Sequence, residues 1–332
     1  MASSYSNLHP VDQILTGLVA EVIPSDAQLI ADKALESISI SERSGTLLVE
    51  ETRNFMGAGA GLDLERAPGA SRAMIGSFDR TSQTFKAKIH SASDAIAMED
   101  IFDSQYPGSE EARIARKVSR VLKLDREKRL ADMLFNTANF NNSAASSTFN
   151  AAGAEPLSEL FDLKDTIFSA AHGINPDTLI LGRQCFRALA KNPEVRGYLQ
   201  VGATPNGVAS GNKILNDEAV LTCLRDVLGI PNIYVGQALR ETAVPGATSS
   251  ESAIWDGTKL FMGILRGSDA VVQKSGNVKG MPVAALNLQF SNMVAGQYDS
   301  LDKTRRYVWG EEINTFHKVD STLGHVLTGC HS

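Results

Sequence analysis

The sequence predicts an α+β protein laid out in a fixed order: an N-terminal arm, a long β-hairpin, one long helix, an α/β block and returning strands. Three stretches carry that prediction. SEEARIARKVSRVLKLDREKRLADMLF, residues 109–135, is the longest uninterrupted helical pattern in the chain. Phe85, Ala87 and Ile89 alternate with Lys86, Lys88 and His90, which is the period of a strand. Thr178–Leu181 (TLIL) is a short apolar run after an Asn-Pro-Asp turn, the pattern of a buried strand.

The elements follow in order. Residues 1–44 read as an extended arm with short helical pieces. Val11, Ile14, Leu15 and Leu18 make one small apolar face, Pro24 breaks it, and Ser25 can cap a second piece through Ala27, Ile30 and Ala34. The arm has too little apolar surface to fold alone and needs its own domain or a neighbouring subunit to lie on. Residues 45–95 read as a two-stranded excursion, with Leu47–Val49 in the first strand and Phe85–His90 in the second. The Gly-, Ala- and Arg-rich connection between them is too long for a compact domain and reads as a functional or intersubunit loop. Gly57, Gly59 and Gly61 within it have GxGxG spacing without the strand–turn–helix setting of a dinucleotide loop, so a flexible tip is the better reading.

Ser109 can cap the long helix, and Glu110 and Glu111 suit its positive end. Ile114, Val118, Val121 and Leu122, then Leu130 and Leu134, make the apolar stripe. At ~1.5 Å per residue the helix spans roughly 40 Å. Its many Arg and Lys residues read as a solvated face, with Glu127 and Asp132 giving local ion pairs. Residues 136–153 read as a surface loop or a strand pair around Phe140 and Phe149. A helix over 156–172 ends at His172–Gly173. After TLIL come a helix at Phe186–Lys191, a Gly-rich loop over 200–213, a helix closed by Gly229 and a strand at Asn232–Val235. AIWDG and KLFMGIL read as a hairpin turning at Asp256–Gly257. Val283–Phe290 and Thr304–His317 supply the returning strands.

Composition bounds the class. The chain has 332 residues, enough for about two domains. A net charge of −6 argues against wrapping duplex DNA tightly. Cys185, Cys223 and Cys330 lack CxxC spacing, and an odd count fits reduced thiols. The N-terminus lacks a signal-peptide pattern, and no run approaches the ~20 apolar residues of a membrane span. A protein made in the cytoplasm is expected.

No catalytic, metal or cofactor motif emerges. GxSxG, GxxxxGK(S/T), HExxH and EF-hand patterns are missing. His325, Cys330 and His331 lie close in sequence but read as a frayed terminus. Cys185 and Cys223 read as small core residues. Asp162, Asp165 and Glu311–Glu312 read as solvated faces. The aromatic residues do not interleave with basic ones as a nucleic-acid platform requires.

The whole layout resembles the major capsid proteins of tailed bacteriophages, with the Hong Kong 97-type fold. VDQILTGLVAEVIPSDAQLIADKAL is similar to the start of their N-terminal arm, and SGTLLVEE to the strand leading into their extended E-loop. LDREKRLADMLFN is similar to the end of their spine helix. NPDTLILGRQCFRALAKNPEVRGYL, GIPNIYVGQA and AIWDGTKLFMGIL are similar to parts of their axial domain. The match covers essentially the full length and rests on order and spacing. It implies an arm over 1–44, an E-loop over 45–95 and a peripheral domain over 96–175 and 276–332. The spine helix is then 109–136 and the axial domain 176–275. It also implies a non-enzymatic protein that self-assembles as hexamers and pentamers into an icosahedral shell around phage double-stranded DNA. Implied partners are a portal protein, a separate scaffolding protein, an optional decoration protein and non-specifically contacted DNA, with no membrane and no cofactor. The expected location is the virion capsid, assembled in the host cytoplasm. Arg66, Arg72, Arg80, Lys86 and Lys88 on the E-loop suit acidic neighbours on the next subunit. A lysine–asparagine crosslink through Lys86 or Lys88 is not expected. Rival readings are an encapsulin-type nanocompartment shell and, from another class, an α/β enzyme with a polar site in 176–240.

Overall fold

The computed structural model describes residues 28–50, 65, 68–69, 80–103, 109–201, 216–244, 246–266, 271–272, 278–279 and 283–331. The chain opens with helix α1 (Ala31–Ala34) and strand β1 (Ser37–Ser39). A ribbon of β2 (Ser44–Glu50) and β3 (Arg80–Lys86) leads to β4 (Lys88–Ala97), α2 (Met98–Asp103) and the long helix α3 (Ser109–Leu134). Next come β5 (Asn141–Ala144), α4 (Pro156–Ala170), β6 (Thr178–Gly182), α5 (Arg183–Lys191), α6 (Pro193–Val201), α7 (Asp217–Leu228) and β7 (Asn232–Gly236). The remaining strands are β8 (Leu239–Glu241), β9 (Glu251–Ala253), β10 (Leu260–Gly263), β11 (Val271–Val272), β12 (Val278–Lys279), β13 (Ala285–Asp299), β14 (Arg305–Lys318) and β15 (Gly324–Thr328).

Two larger sheets carry the body. One has the order β1-β13-β14-β4, and the other β5-β15-β10-β6-β7. The second sheet is apolar on both faces. Leu179 and Leu181 of β6, with Leu260 and Met262 of β10, join the core beneath α4, α5 and α7. Ile180 and Phe261 point the other way, into a core with Trp255, Phe135 and Leu134. Alternate side chains of a strand face opposite sides, so a strand covered on both sides reads as an unbroken apolar run. This is why TLIL was legible. The sheet takes strands from both sides of the predicted boundary at 275/276, because β15 pairs with β10 and β5.

Helix α3 links the sheets. Ile114, Ala115, Val118 and Leu122 pack on β4, β13 and β14, while Leu130, Ala131 and Leu134 enter the core of the second sheet. Gly310 of β14 permits the close approach: a Cβ there would lie 3.0 Å from Leu122 and 3.1 Å from Val118. The buried stripe is narrower than expected, and Val121 is 48% exposed. At about 100° per residue, Val121 stands roughly 60° round the helix from Val118 and clears the sheet.

Other expectations are corrected. The strand read through Phe85–His90 is two strands. β3 pairs with β2, and after the buried Ala87 the chain switches sheets, so β4 pairs with β14. The switch breaks the alternation, leaving Ile89 exposed and His90 half-buried. AIWDG and KLFMGIL do not pair with each other. β9 pairs with β8, while β10 lies between β6 and β15, because buried sheet edges recruit β10 more strongly than a local turn does. The C-terminus is not frayed: β15 is a buried inner strand, and Cys330 is buried against Thr258, whose backbone oxygen accepts from its N–H. Cys185 is buried as expected, whereas Cys223 is only half-buried. Of the two expectations for 136–153, a surface loop or a strand pair, the stretch forms one strand, β5, flanked by the buried Phe140 and Phe149. Ser25, the 57–61 glycines and the 202–213 part of the Gly-rich loop lie outside the described residues, as does the side chain of Ser109.

Trp255 has a seat made by a glycine. A Cβ on Gly236 of β7 would lie 2.2 Å from Trp255 Cγ. Gly236→Ala therefore forces the indole out of place and should lower stability by about 1–3 kcal/mol, the range for overpacking. A reduced urea midpoint with unchanged slope checks this.

Candidate assembly surfaces

Several described polar groups of the 176–240 block do structural work. The Asp177 carboxylate accepts from Leu265 N at 2.8 Å, Arg266 N at 2.9 Å and Thr178 Oγ1 at 2.8 Å. The Asn192 amide donates to the carbonyls of Phe149 and Ala154, and Glu194 accepts from Leu157 N. Among the described residues no group of three His, Cys, Asp or Glu side chains is placed to hold a metal ion. No described helix is long and apolar enough to cross a membrane. A cleft of about 520 Å³ lies between the β2–β3 ribbon and the body, lined by Val49, Gln83, His172, Lys318 and Asp320 among others. Gln83 spans it, donating to Val319 O at 2.8 Å and pairing with His317 Nε2 at 2.8 Å.

The candidate contact residues do not gather at one place. Arg66 and Arg72 lie outside the described residues. Arg80 opens β3 opposite Glu50, and its side chain lies outside the description. Lys86 and Lys88 are exposed on either side of Ala87, one on the ribbon and the other at the start of β4. Large apolar side chains are exposed at several places: Leu48 on the ribbon, Val244 beyond β8, Phe102 on α2 and Leu301 in the β13–β14 turn. The turn also carries a stacked pair, Tyr298 and Tyr307, with ring centroids 5.1 Å apart.

Sequence reasoning missed the charge cluster behind these surfaces. Glu312 was expected on a solvated face, but it is fully buried on β14. Two arginines of α3 hold it. Arg129 donates to it at 2.6 Å and to Asn314 Oδ1 at 2.6 Å, and Arg126 donates to both of its carboxylate oxygens. Arg126 also reaches Asp32 of α1. Burial opposes the Arg126 charge, yet Glu312 and Asp32 outweigh it and push its pKa up. Asp125 bridges Arg129 at 2.8 Å and His90 Nδ1 at 3.3 Å. Burial, with Arg129 next, lowers the His90 pKa. The solvated reading holds for Arg113, which pairs with Glu110, and for Lys128, which pairs with Asp132.

Glu127 is likewise buried and makes no local ion pair of the kind expected; it accepts from Ile30 N, Ala31 N and Trp255 Nε1. Burial pushes its carboxyl up from 4.5 despite those donors. The signal for it was present. Ser119, Lys123 and Glu127 recur every four residues on a stripe that Leu130 and Leu134 continue, and all three are buried. By contrast Glu241, fully exposed at the end of β8, accepts from Ser249 Oγ and from the backbone N–H groups of Ala243, Ser250 and Thr242. These hold its pKa at about 2.

Removing either arginine leaves Glu312 buried with half its compensation. Arg126→Ala or Arg129→Ala should each cost about 3–5 kcal/mol, read from denaturant unfolding. The two carboxyls give opposite pH responses. The raised value of Glu127 means that its contribution is fully present below 4.5 and is lost as pH rises through its folded value. The depressed value of Glu241 means that its contribution is present above 4.5 and is lost as pH falls through about 2. Stability measured against pH in Glu127→Gln and Glu241→Gln chains should lose the matching limb in each case.

No protein-family model and no curated protein matches the sequence. Solved structures do match. A phage-related protein from Bordetella bronchiseptica RB50 is 17% identical, with 97% of this chain and 98% of that one covered and a TM-score of 0.67. The capsid structure of cyanophage P-SCSP1u gives 10% identity over 92% and 89% of the two chains, with a TM-score of 0.55. The SrpI encapsulin of Synechococcus elongatus PCC 7942 gives 9% identity over 90% and 86%, with a TM-score of 0.50. Two sheets joined by one long helix, matched over nearly the full length of the chain, give this protein the α+β fold of phage capsid proteins.

Proposed function

We propose that this chain is a major capsid protein that self-assembles as hexamers and pentamers into an icosahedral shell enclosing phage double-stranded DNA. The observation that carries the reading is similarity to a capsid fold over nearly the full length of the chain. In this reading α3 is the spine helix, β2 and β3 are the base of the E-loop, and the first residues are the arm. The four-stranded sheet belongs to the peripheral domain and the β6–β7 block to the axial domain. Exposed apolar side chains at Leu48, Val244, Phe102 and Leu301 suit burial against other copies, where many weak symmetric contacts add. Arg66, Arg72, Arg80, Lys86 and Lys88 meet acidic neighbours across the subunit boundary. The shell forms in the host cytoplasm with a separate scaffolding protein and a portal, and its inner surface contacts DNA without sequence preference.

The encapsulin reading has one observation in its favour, the shared fold of the SrpI shell. Particle diameter and contents separate the two.

Negative-stain electron microscopy of the purified chain, alone and co-expressed with a neighbouring scaffold gene, tests the assignment. Shells, tubes or ring-shaped capsomers are expected. A monodisperse monomer or dimer under every condition overturns it. Charge reversal of Arg72, Arg80, Lys86 and Lys88 together should cut the yield of closed shells by about ten-fold or more, since each contact repeats around the shell. Unchanged yield removes the electrostatic role.

A further inference from the structure

Three segments distant in sequence meet at one buried carboxylate. Glu127 Oε1 accepts from the Trp255 indole at 2.7 Å and from Ile30 N at 3.1 Å. Its Oε2 accepts from Ala31 N at 2.8 Å and from Ile30 N at 3.1 Å. The side chain is fully buried. Three further bonds fasten the same arm segment: Tyr234 Oη donates to Lys33 O at 3.0 Å, Asn287 N donates to Glu36 O at 3.4 Å, and Arg126 pairs with Asp32. On the far side, Trp255 sits edge-on to Phe135, with centroids 5.1 Å apart, and against Gly236. It follows β9 by two residues, and Ile254 N donates to Ala238 O just before β8. Trp255 is therefore anchored at the base of the β8–β9 hairpin.

This arrangement makes the two sides interdependent. If the arm lifts, Glu127 loses both backbone donors and keeps only the indole. A buried charge stripped of partners is strongly unfavourable, so the carboxyl either takes a proton or turns toward water, and both weaken its bond from the indole. If Trp255 leaves first, the same argument applies to the arm. The charged neighbours are committed elsewhere, Lys123 one turn before Glu127 among them. Asp32 repels the carboxylate, Arg126 is engaged by Glu312 and Asp32, and Asp256 is engaged by Lys259 and Thr258.

We propose that Glu127 is a relay: arm residues 28–36 and the base of the β8–β9 hairpin dock and release as one unit through its carboxylate. Displacement of the arm at one place on the molecule is then transmitted to the hairpin that carries the exposed Val244. This coupling belongs to the single chain, so it stands or falls separately from the shell assignment.

Hydrogen exchange on the full-length chain tests it in both directions. Trp255→Phe deletes the indole donor but keeps a ring in the seat. It should speed exchange in residues 28–36 by about ten-fold or more while β6 stays protected. Asp32→Ala removes the arm's pair with Arg126 and should speed exchange across 239–253 by a similar factor. Glu127→Gln, which keeps one acceptor oxygen without the charge, should loosen both segments. The proposal is overturned if Trp255→Phe changes only 239–253, or if Asp32→Ala changes only 28–36. It is also overturned if every variant loosens β6 equally, which is general destabilisation. Should Trp255→Phe fail to fold, Asp32→Ala alters a half-exposed side chain and decides the matter alone.

Discussion

The buried carboxylate of Glu312, gripped by Arg126 and Arg129, is the constraint on which the arrangement of α3 depends. The apolar contacts around Val118, Leu122 and Gly310 bring the helix onto the four-stranded sheet, but apolar contacts are non-directional and tolerate sliding. An ion pair with fixed donor geometry does not. Two guanidinium groups one helical turn apart on a single buried carboxylate set both the register and the rotation of α3. Such a cluster contributes less net stability than its Coulomb energy suggests, because its members are desolvated. Its value here is positional. With α3 fixed on one sheet, Leu130 and Leu134 are delivered into the core of the other, and Arg126 can reach Asp32 of the arm.

The two sheets are built on different principles, and this bears on function. The five-stranded sheet is covered on both faces and closes its own core. The four-stranded sheet carries α3 on one side and ends in a turn with Leu301 fully exposed. The β2–β3 ribbon is held to the body by Gln83 and by a small cluster around Leu47, Ile38 and Leu288. A two-stranded ribbon is marginal by itself in water, so burial elsewhere stabilises it. In the proposed capsid reading, neighbouring copies would bury these exposed extensions.

Much of the fold was legible because local rules and tertiary demands agree. The long helix, the TLIL strand, the helix ending at His172–Gly173 and the α7 helix closing at Gly229 all appear where capping residues and apolar periodicity put them. The failures cluster where long-range pairing overrode local pattern. Ala87 looked like one more residue of an alternating strand and is the point where the chain changes sheets. Asp256–Gly257 looked like a hairpin turn, but β10 pairs instead with β6 and β15. The final residues looked frayed and form an inner strand, since nothing local tells a strand where its partners lie.

By itself, the sequence determined the order and types of the main elements and most of the apolar stripe of α3. These follow from dihedral preference and the 3.6- and 2-residue periods, which act over neighbouring residues. Only the tertiary structure decided which charges are buried and which partners hold them. Glu127 and Glu312 read as surface acids among many, because burial and partners are properties of residues brought together across 96 to 186 positions of chain. A carboxylate in water and a carboxylate closed under an indole and two arm amides have the same letter in the sequence. Their environments differ by the desolvation that raises the Glu127 pKa, and only the assembled fold supplies that environment.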